Sequence, residues 1–337
     1  MIKSEGSLAK VSAFLNKYSI FVILVCVFFI SALLNPNFLS VMNLTNVLRQ
    51  NAVVAILALG VTMLIISGTI DLSSGAVMAI SGVFAVYVFR ATESLLFAFS
   101  VGVMVGVFFN CISGILVAVF KTPPFIATLA VMAVARGAAL LFTRGQNIHQ
   151  IGGFVVLGQG SLWGIPIPII FMLLMLVLTW YILNHTRFGR SLYAIGGNEE
   201  AANASGIRVA RTKFICYVIN GAFVGLAGVI FMSRVNAGLP NAGHGFEFEA
   251  LTAAVIGGTS FSGGIGTAMG TFAGAFIVGI LGNIMNLVGV NAYVQQIIRG
   301  AIIALAVIMD IYVKNKRARP KLIAGHISGA AVQKQRV

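Results

Sequence analysis

Charged residues are scarce in this chain. Only 9% of its 337 residues are Asp, Glu, Lys or Arg, whereas about a quarter of the residues of a soluble globular domain are charged. Apolar residues make up 59% of the chain, and the mean hydropathy is +1.00. The composition therefore excludes a soluble domain and predicts a protein whose solvent is lipid.

Cysteine and histidine are also rare, with three and four copies. Cys26, Cys111 and Cys216 lie inside apolar runs without CxxC spacing, which predicts small buried side chains and no disulfide or metal site. His244 has no second His or Cys at ligand spacing. The sequence contains no phosphate-loop motif G-x-x-x-x-G-K-[ST] and no nucleophile with a matching base. We therefore expect no metal, no cofactor and no enzymatic activity of the chain itself.

Acidic residues are the scarcer charged type, eight against 22 Lys and Arg, which gives a net charge of +14. The basic residues flank hydrophobic runs, as the positive-inside rule expects, and they do not form an aromatic-studded soluble face. We therefore expect no nucleic-acid partner.

Long apolar runs are abundant, and a spanning helix needs about 20 mostly apolar residues. Another apolar stretch, near 250–258, is too short to span and runs into Gly-Gly-Thr-Ser-Phe-Ser-Gly-Gly. We predict an all-α polytopic membrane protein with about ten transmembrane helices and a discontinuous or re-entrant segment near 250–264. The runs long enough to span cover residues 18–34, 50–70, 72–90, 95–120, 124–143, 166–184, 213–233, 267–289 and 293–313.

The basic residues predict the orientation. Lys and Arg are dense at 1–17, in a central loop at 185–213 and in a tail at 314–337. Because basic loops stay in the cytoplasm, both termini and the central loop should be cytoplasmic, and the transmembrane domain should cover 18–313. The central loop can be cytoplasmic together with the tail only when the short stretch near 250–258 takes part as the eighth span.

Glycine occupies 38 positions, against an average use of about 7%. Several glycines have the G-x-x-x-G spacing that lets two membrane helices approach closely. We interpret them as helix-packing positions: Gly102 with Gly106, Gly221 with Gly225, and the run Gly266, Gly270 and Gly274.

Two glycine-interrupted segments are similar to each other. SGTIDLSSGAVMAISG at 67–82 and GGTSFSGGIGTAMGTFAG at 257–274 both follow an aliphatic run and contain Gly-Thr, then Ser and Gly. Paired interruptions in the two halves of a transporter point to its translocation site, although Gly and Ser are also common in membrane helices for packing alone. The predicted pathway or gate residues are Ser67, Thr69 and Asp71 in the first segment and Gly257, Gly258, Thr259 and Ser260 in the second.

Two charged residues lie in apolar surroundings. A carboxylate such as Asp71 costs about 2.5–3.5 kcal/mol at membrane depth, so it either lines a pathway or caps the next helix through the N–H groups of Ser73 or Ser74. These two roles are compatible. Arg136 either faces the interior, paired with carbonyls or with an acid such as Asp71, or reaches the headgroups near the outer end of its span.

The central loop contains the element E-A-A-x-x-x-G. The stretch from Glu199 to Gly206 is Ala-rich and ends at a glycine, which predicts a short helix outside the membrane. Ala201 and Ala202 allow such a helix to dock closely in a groove, and Glu200 can pair with a basic group of a partner. The alternative is a solvated connector whose acids favour the helix N-terminus.

That element resembles the coupling loop by which ABC importer permeases engage their ATPase subunit. The rest of the chain is similar to the ribose-type branch of these permeases, which includes permeases for ribose, galactose, arabinose, xylose and autoinducer-2. The similar segments cover almost the whole chain from 20 to 312. They are PNFLSVMNLTNVLRQ at 36–50, ILALGVTMLIISGTIDLSSGAVMAISG at 56–82, KTPPFIATLAVMAVARGAALLFT at 121–143, TRFGRSLYAIGGNEEAANASGI at 186–207 and IGGTSFSGGIGTAMGTFAGAFIVGILGNIMNLVGV at 256–290.

The resemblance implies the permease subunit of an ATP-driven importer for a small sugar, ribose first, in the bacterial cytoplasmic (inner) membrane. It implies two ATPase subunits, a periplasmic sugar-binding protein and a second permease copy, either identical or related. It also implies that Asn283 belongs to the pathway. The residues that it assigns to ATPase coupling are Glu199, Glu200, Ala201, Ala202 and Gly206.

Three further interpretations remain open. A secondary transporter driven by an ion gradient would need several buried acids, and only Asp71 is a serious candidate. A membrane enzyme would need a catalytic constellation that the sequence lacks. In the outer loop at 234–253, Glu247 and Glu249 are either an exposed docking surface for the binding protein or ordinary solvated charges.

Overall fold

The computed structural model describes residues 19–305, 307–308 and 312, and these residues are mostly helical. The predicted segment 1–17 and the basic tail 314–337 lie outside the described residues. Two 3-10 turns, Pro36–Leu39 and Gly152–Val155, connect longer elements. In chain order the helices are α1 Ser19–Leu34, α2 Val41–Ile66, α3 Ser74–Thr92, α4 Leu95–Ala118, α5 Pro124–Thr143, α6 Val156–Gln159, α7 Ile167–His185, α8 Arg187–Gly197, α9 Glu199–Ala204, α10 Val209–Val235, α11 Phe246–Ile256, α12 Ala268–Leu287 and α13 Ala292–Leu305.

Within the described residues, seven helices are long and apolar enough to cross a membrane: α2, α3, α4, α5, α7, α10 and α12. Helices α1 and α13 are apolar but shorter over their described part, and α11 has only 11 residues. The predicted class, an all-α polytopic membrane protein, is confirmed.

Helix α2 begins nine residues before its predicted start at residue 50. The polar residues of its first turns concealed this start, but they have partners: Ser40 caps the helix by accepting from the Asn43 N–H at 3.3 Å, and the Asn43 amide donates to the Phe38 carbonyl at 2.9 Å. The prediction was wrong here because it required every turn of the helix to be apolar.

The central loop is more helical than predicted. Helix α8 begins after Thr186, whose hydroxyl accepts from the Gly189 N–H at 3.0 Å. It buries Leu192 and Ile195, and its glycines concealed this amphipathic pattern. Helix α10 begins at Val209, so the predicted loop boundary at 213 lies inside this helix.

Four two-residue strands form two small sheets among the loops. Strands β1 (Ile148–His149) and β4 (Ala237–Gly238) pair antiparallel, and β2 (Ser161–Leu162) forms a hairpin with β3 (Ile165–Pro166). The first pair joins the loop after α5 to the loop after α10.

Helix α2 is the centre of the bundle. Of its apolar window 89% is buried within the protein, against 72% for α10, 61% for α3 and 28% for each of α4, α5 and α7. Two predicted G-x-x-x-G positions face each other where α4 crosses α10: a methyl group on Gly221 would lie 2.6 Å from the Gly106 carbonyl oxygen, and one on Gly225 would lie 2.8 Å from that of Gly102. The predicted packing role of these glycines is confirmed.

Candidate functional site

The first glycine-interrupted segment ends helix α2. After Ile66 the chain turns at Gly68, whose φ of +76° lies in the left-handed region. The Gly68 N–H donates to the Ile65 carbonyl at 2.9 Å, and the Thr69 N–H donates to the Leu64 carbonyl at 3.0 Å. These two bonds form a Schellman motif, in which a glycine closes the last turn of a helix.

The second segment ends helix α11 in the same way. Gly258 has a φ of +87°. Its N–H donates to the Val255 carbonyl at 2.9 Å, and the Thr259 N–H donates to the Ala254 carbonyl at 3.0 Å. The sequence similarity between the two segments therefore corresponds to one backbone geometry used twice.

The two helix ends meet. The Gly264 N–H donates to the Ile66 carbonyl at 2.8 Å, so the loop after α11 is hydrogen-bonded to the last residue of α2. A methyl group on Gly266 would lie 2.8 Å from the Thr259 hydroxyl and 2.9 Å from the Ile66 side chain. The structure thus brings together most of the predicted gate residues. Ser67, Thr69, Gly257, Thr259 and Ser260 are buried there, while Gly258 is exposed.

Asp71 is fully buried between α2 and α3. Its Oδ1 accepts from the N–H (2.8 Å) and the hydroxyl (2.5 Å) of Ser73, and its Oδ2 accepts from the Ser74 hydroxyl (2.9 Å) and the Asn220 amide (2.8 Å). Because α3 begins at Ser74 with Ser73 as its N-cap, Asp71 holds the start of α3 from two residues before the cap. The predicted contact with the Ser73 N–H is present. Four donors compensate the carboxylate for the water it has lost.

Asn220 of α10 links Asp71 to α4. Its Nδ2 also donates to Oδ1 of Asn110 at 2.9 Å, and Tyr217, one turn earlier, donates its hydroxyl to the Ile70 carbonyl at 2.8 Å. Sequence reasoning missed both asparagines. A single Asn inside an apolar span was the available signal, because such residues join membrane helices through hydrogen bonds.

Arg136 is bound to the loop before α11. Its Nη1 donates to the carbonyls of Pro240 at 2.8 Å and Ala242 at 2.5 Å. Of the alternatives that the sequence left open, backbone carbonyls, and not Asp71, are its hydrogen-bond partners among the described residues.

Glu247 and Glu249 are not solvated loop residues, because both lie in the first turn of α11. Glu247 is only 7% exposed and packs against Gly75. Glu249 forms an ion pair with Arg299 of α13. The hypothesis that these acids form a free docking surface is therefore wrong. The glycines before them concealed the helix start.

Asn283 lies away from the two helix ends. Its amide group exchanges two hydrogen bonds with that of Asn43, at 3.1 and 2.8 Å. Asn43 is near the start of α2 and Ile66 is its last residue, which places them roughly 35 Å apart along the helix axis.

Helix α9 forms where the sequence predicts a short helix. Asn198 is its N-cap, accepting from the Ala201 N–H at 2.9 Å, and Gly206, with a φ of +85°, turns the chain back after its last residue. The Glu199 carboxylate is joined to Lys213 of α10 at 2.6 Å. The helix is thereby attached to the bundle.

Most of α9 faces outward. Glu200 and Ala201 are exposed, and Ala202 is the buried residue of the helix. A cleft of about 960 Å³ opens beside it, between α9, the start of α10 and the turn that joins α4 to α5. The charged residues of this cleft are Lys121, Glu199, Glu200, Arg208, Arg211 and Lys213.

Known proteins match the chain over most of its length. Residues 43–307 match the family described as branched-chain amino acid transport system / permease component. The chain is 41% identical over 312 residues to the ribose import permease protein RbsC of Bacillus subtilis (strain 168). The matched region covers 92% of this chain and 95% of that protein. It is 38% identical over 322 residues to RbsC of Haemophilus influenzae, covering 94% and 100%, and 36% identical over 315 residues to the D-allose transport system permease protein AlsC of Escherichia coli (strain K12), covering 92% and 97%. No solved structure matches the chain.

Proposed function

We propose that this chain, which belongs to the family of branched-chain amino acid transport system permease components, is the membrane-spanning permease subunit of an ATP-driven sugar importer. The observation that carries this proposal is the near full-length similarity to proteins named as ribose import permeases. Ribose is the proposed substrate, because identity to the ribose permease of Bacillus subtilis, at 41%, exceeds identity to the D-allose protein, at 36%.

The proposal includes ten membrane crossings, with α11 as the eighth and both termini in the cytoplasm. Helix α11, with 11 residues, is about 16 Å long, roughly half of a 30 Å hydrocarbon core. The loop at 257–267 would complete this crossing as the non-helical part of a discontinuous span. Non-helical backbone at this depth is tolerated where protein buries it or where it lines a cavity. Five of the eleven residues at 257–267 are buried, and glycines of this loop pack against α2, α8 and α12.

The two Schellman ends form the proposed gate of the translocation pathway. Its residues are those at which α2 and α11 stop: Ser67 and Thr69 on one side, and Gly257 to Ser260 on the other. Asp71 fixes the first of these ends to α3 and α10, because its buried carboxylate accepts from Ser73, Ser74 and Asn220. We assign it a positioning role.

The proposed partners are two ATPase subunits, a periplasmic sugar-binding protein and a second permease copy. The exposed helix α9 supplies one docking point for one ATPase subunit. Because an ATPase pair requires two such points, a second permease chain must supply the other.

Copurification with the cognate ATPase tests this proposal. Glu200→Lys with Gly206→Leu changes the exposed acid and the left-handed glycine of the coupling element. The matched control is Glu93→Lys with Gly145→Leu, since Glu93 is an exposed acid and Gly145 has a φ of +72° with open space around it. The wild type and the control should retain the ATPase, and the coupling variant should lose it.

A wild type that does not bind the ATPase would be equally informative. Failure of the wild type to bind the ATPase in any nucleotide state would overturn the coupling argument and move a gradient-driven transporter to first place. When the ATPase does bind, uptake of labelled ribose into vesicles, with arabinose and allose as competitors, then ranks the sugars.

A further inference from the structure

Helix α8 contacts the end of α2 and the loop that follows α11. Gly196, in its last turn, lies against the Ile66 carbonyl oxygen and the Gly264 nitrogen, and a methyl group on Gly196 would overlap both atoms. These two atoms are hydrogen-bonded to each other at 2.8 Å. From the other side, a methyl group on Gly263 would lie 2.8 Å from the Gly196 carbonyl oxygen. Gly196 therefore packs directly against the hydrogen bond that joins the end of α2 to the loop after α11.

Tyr193 makes a second contact one turn earlier. Its hydroxyl donates to the Gly266 carbonyl at 2.8 Å. Burial raises the pKa of the Tyr193 phenol, so the hydroxyl keeps its proton and remains a donor. Helix α8 is thus joined to the loop after α11 by a hydrogen bond, and its backbone packs closely against that loop and against the end of α2.

Only one residue separates α8 from α9. The Asn198 N–H donates to the Ala194 carbonyl of α8 at 3.1 Å, while its side chain caps α9 through the Ala201 N–H at 2.9 Å. The two helices therefore share a junction whose main-chain and side-chain groups are both hydrogen-bonded. We expect α8 to move together with α9, because close-packed elements move as rigid bodies.

We propose that α8 is the element that transmits ATPase movement to the gate, with Gly196 and Tyr193 as the positioning residues that keep it in contact with the end of α2 and with the loop after α11. This inference rests on the importer function proposed above. Gly196 is needed because it alone allows the backbone of α8 to touch the joined ends. Tyr193 is needed because its hydroxyl ties α8 to the moving loop.

Adjacent glycines offer a matched test. Gly196→Ala adds a methyl group where no space exists, whereas a methyl group on Gly197 would have no neighbour within 4 Å among the described residues, and neither glycine has a positive φ. In reconstituted vesicles with the ATPase, the binding protein and labelled ribose, we measure copurified ATPase, ribose uptake and ATP hydrolysed per ribose imported. Gly196→Ala should retain the ATPase, lose about tenfold or more in uptake, and hydrolyse more ATP per sugar. Gly197→Ala should match the wild type.

Three results would overturn the proposal. The first is transport by Gly196→Ala with the wild-type ratio of ATP to ribose. The second is loss of the ATPase by this variant, which would make α8 part of the docking site. The third concerns Tyr193→Phe, which removes one hydroxyl and keeps the ring. This variant tests the transmission role even when Gly196→Ala does not fold. We expect about fivefold lower uptake with a raised ratio of ATP to ribose, and an unchanged ratio contradicts the transmission role. A wild type that binds no ATPase refutes the importer function itself, which separates the two failures.

Discussion

Replacement of Asp71 should destabilise the protein before it affects transport. In Asp71→Asn an NH2 group takes the place of one carboxylate oxygen. When it replaces Oδ2, the Ser74 hydroxyl can rotate and accept from it, but the Asn220 amide cannot, because its Nδ2 also donates to Asn110. One charge-assisted hydrogen bond is lost and the others become neutral, so the expected loss in the free energy of unfolding is about 2–3 kcal/mol.

Asp71→Ala removes all four bonds and leaves the buried Ser73 N–H without its acceptor. The expected loss is about 4–5 kcal/mol, the range of substitutions that disrupt a buried polar network. The matched control is Glu93→Gln, which removes a carboxylate charge at an exposed position after α3 and should change stability by less than about 0.5 kcal/mol.

Unfolding in mixed micelles measures these losses, and ribose uptake is measured in parallel and normalised to the amount of folded protein in the vesicles. The expected order of stability is wild type, then Asp71→Asn, then Asp71→Ala, with normalised uptake retained in Asp71→Asn. An Asp71→Asn variant that unfolds at the wild-type midpoint but does not transport would refute the reasoning. The carboxylate would then act on the sugar or the gate directly.

Two further predictions concern helix contacts. Gly106→Ala should destabilise by about 1–3 kcal/mol, because its methyl group would lie 2.6 Å from the backbone nitrogen of Gly225. Gly137→Ala should not destabilise, because its methyl group would have no neighbour within 4 Å in the part of the chain that the structure describes. Equal unfolding midpoints would contradict the packing argument. A double-mutant cycle on Arg299→Gln and Glu249→Gln should give a coupling energy of about 1 kcal/mol. This energy is small because the Arg299 side chain is 41% exposed. A value near zero would show that this ion pair does not help to hold α11.

The long apolar helices, apart from the polar start of α2, and the glycine ends were predictable from local sequence. A membrane span is specified by a run of apolar residues, and Gly68 and Gly258 adopt the left-handed conformation that a glycine-closed helix end requires. The resemblance to ribose-type ABC importer permeases is confirmed by relatives that match most of the chain. The short helix α9 was predictable for the same reason, since its cap, its acids and its closing glycine are adjacent in sequence.

The contacts between distant segments were not predictable. Asn110 and Asn220 each appear as one polar residue in an apolar run, and only packing shows that they join Asp71 to two other helices. The role of Gly196 was hidden because a glycine in a polar loop indicates flexibility, whereas here it allows three backbone segments to meet. Glu247 was expected to be an exposed loop residue because the stretch before it is rich in glycine.

The way the end of α2 is joined to the loop after α11 suits the proposed gate. Each end satisfies two carbonyls of its last turn through its own Schellman motif, so these bonds do not depend on the other segment. The ends are linked by the bond from the Gly264 N–H to the Ile66 carbonyl, and α8 covers that bond. Breaking it costs about 1–3 kcal/mol while both groups stay dry, and less when water or a sugar hydroxyl replaces the lost partner. A movement of α8 can therefore separate the two ends without unfolding either helix.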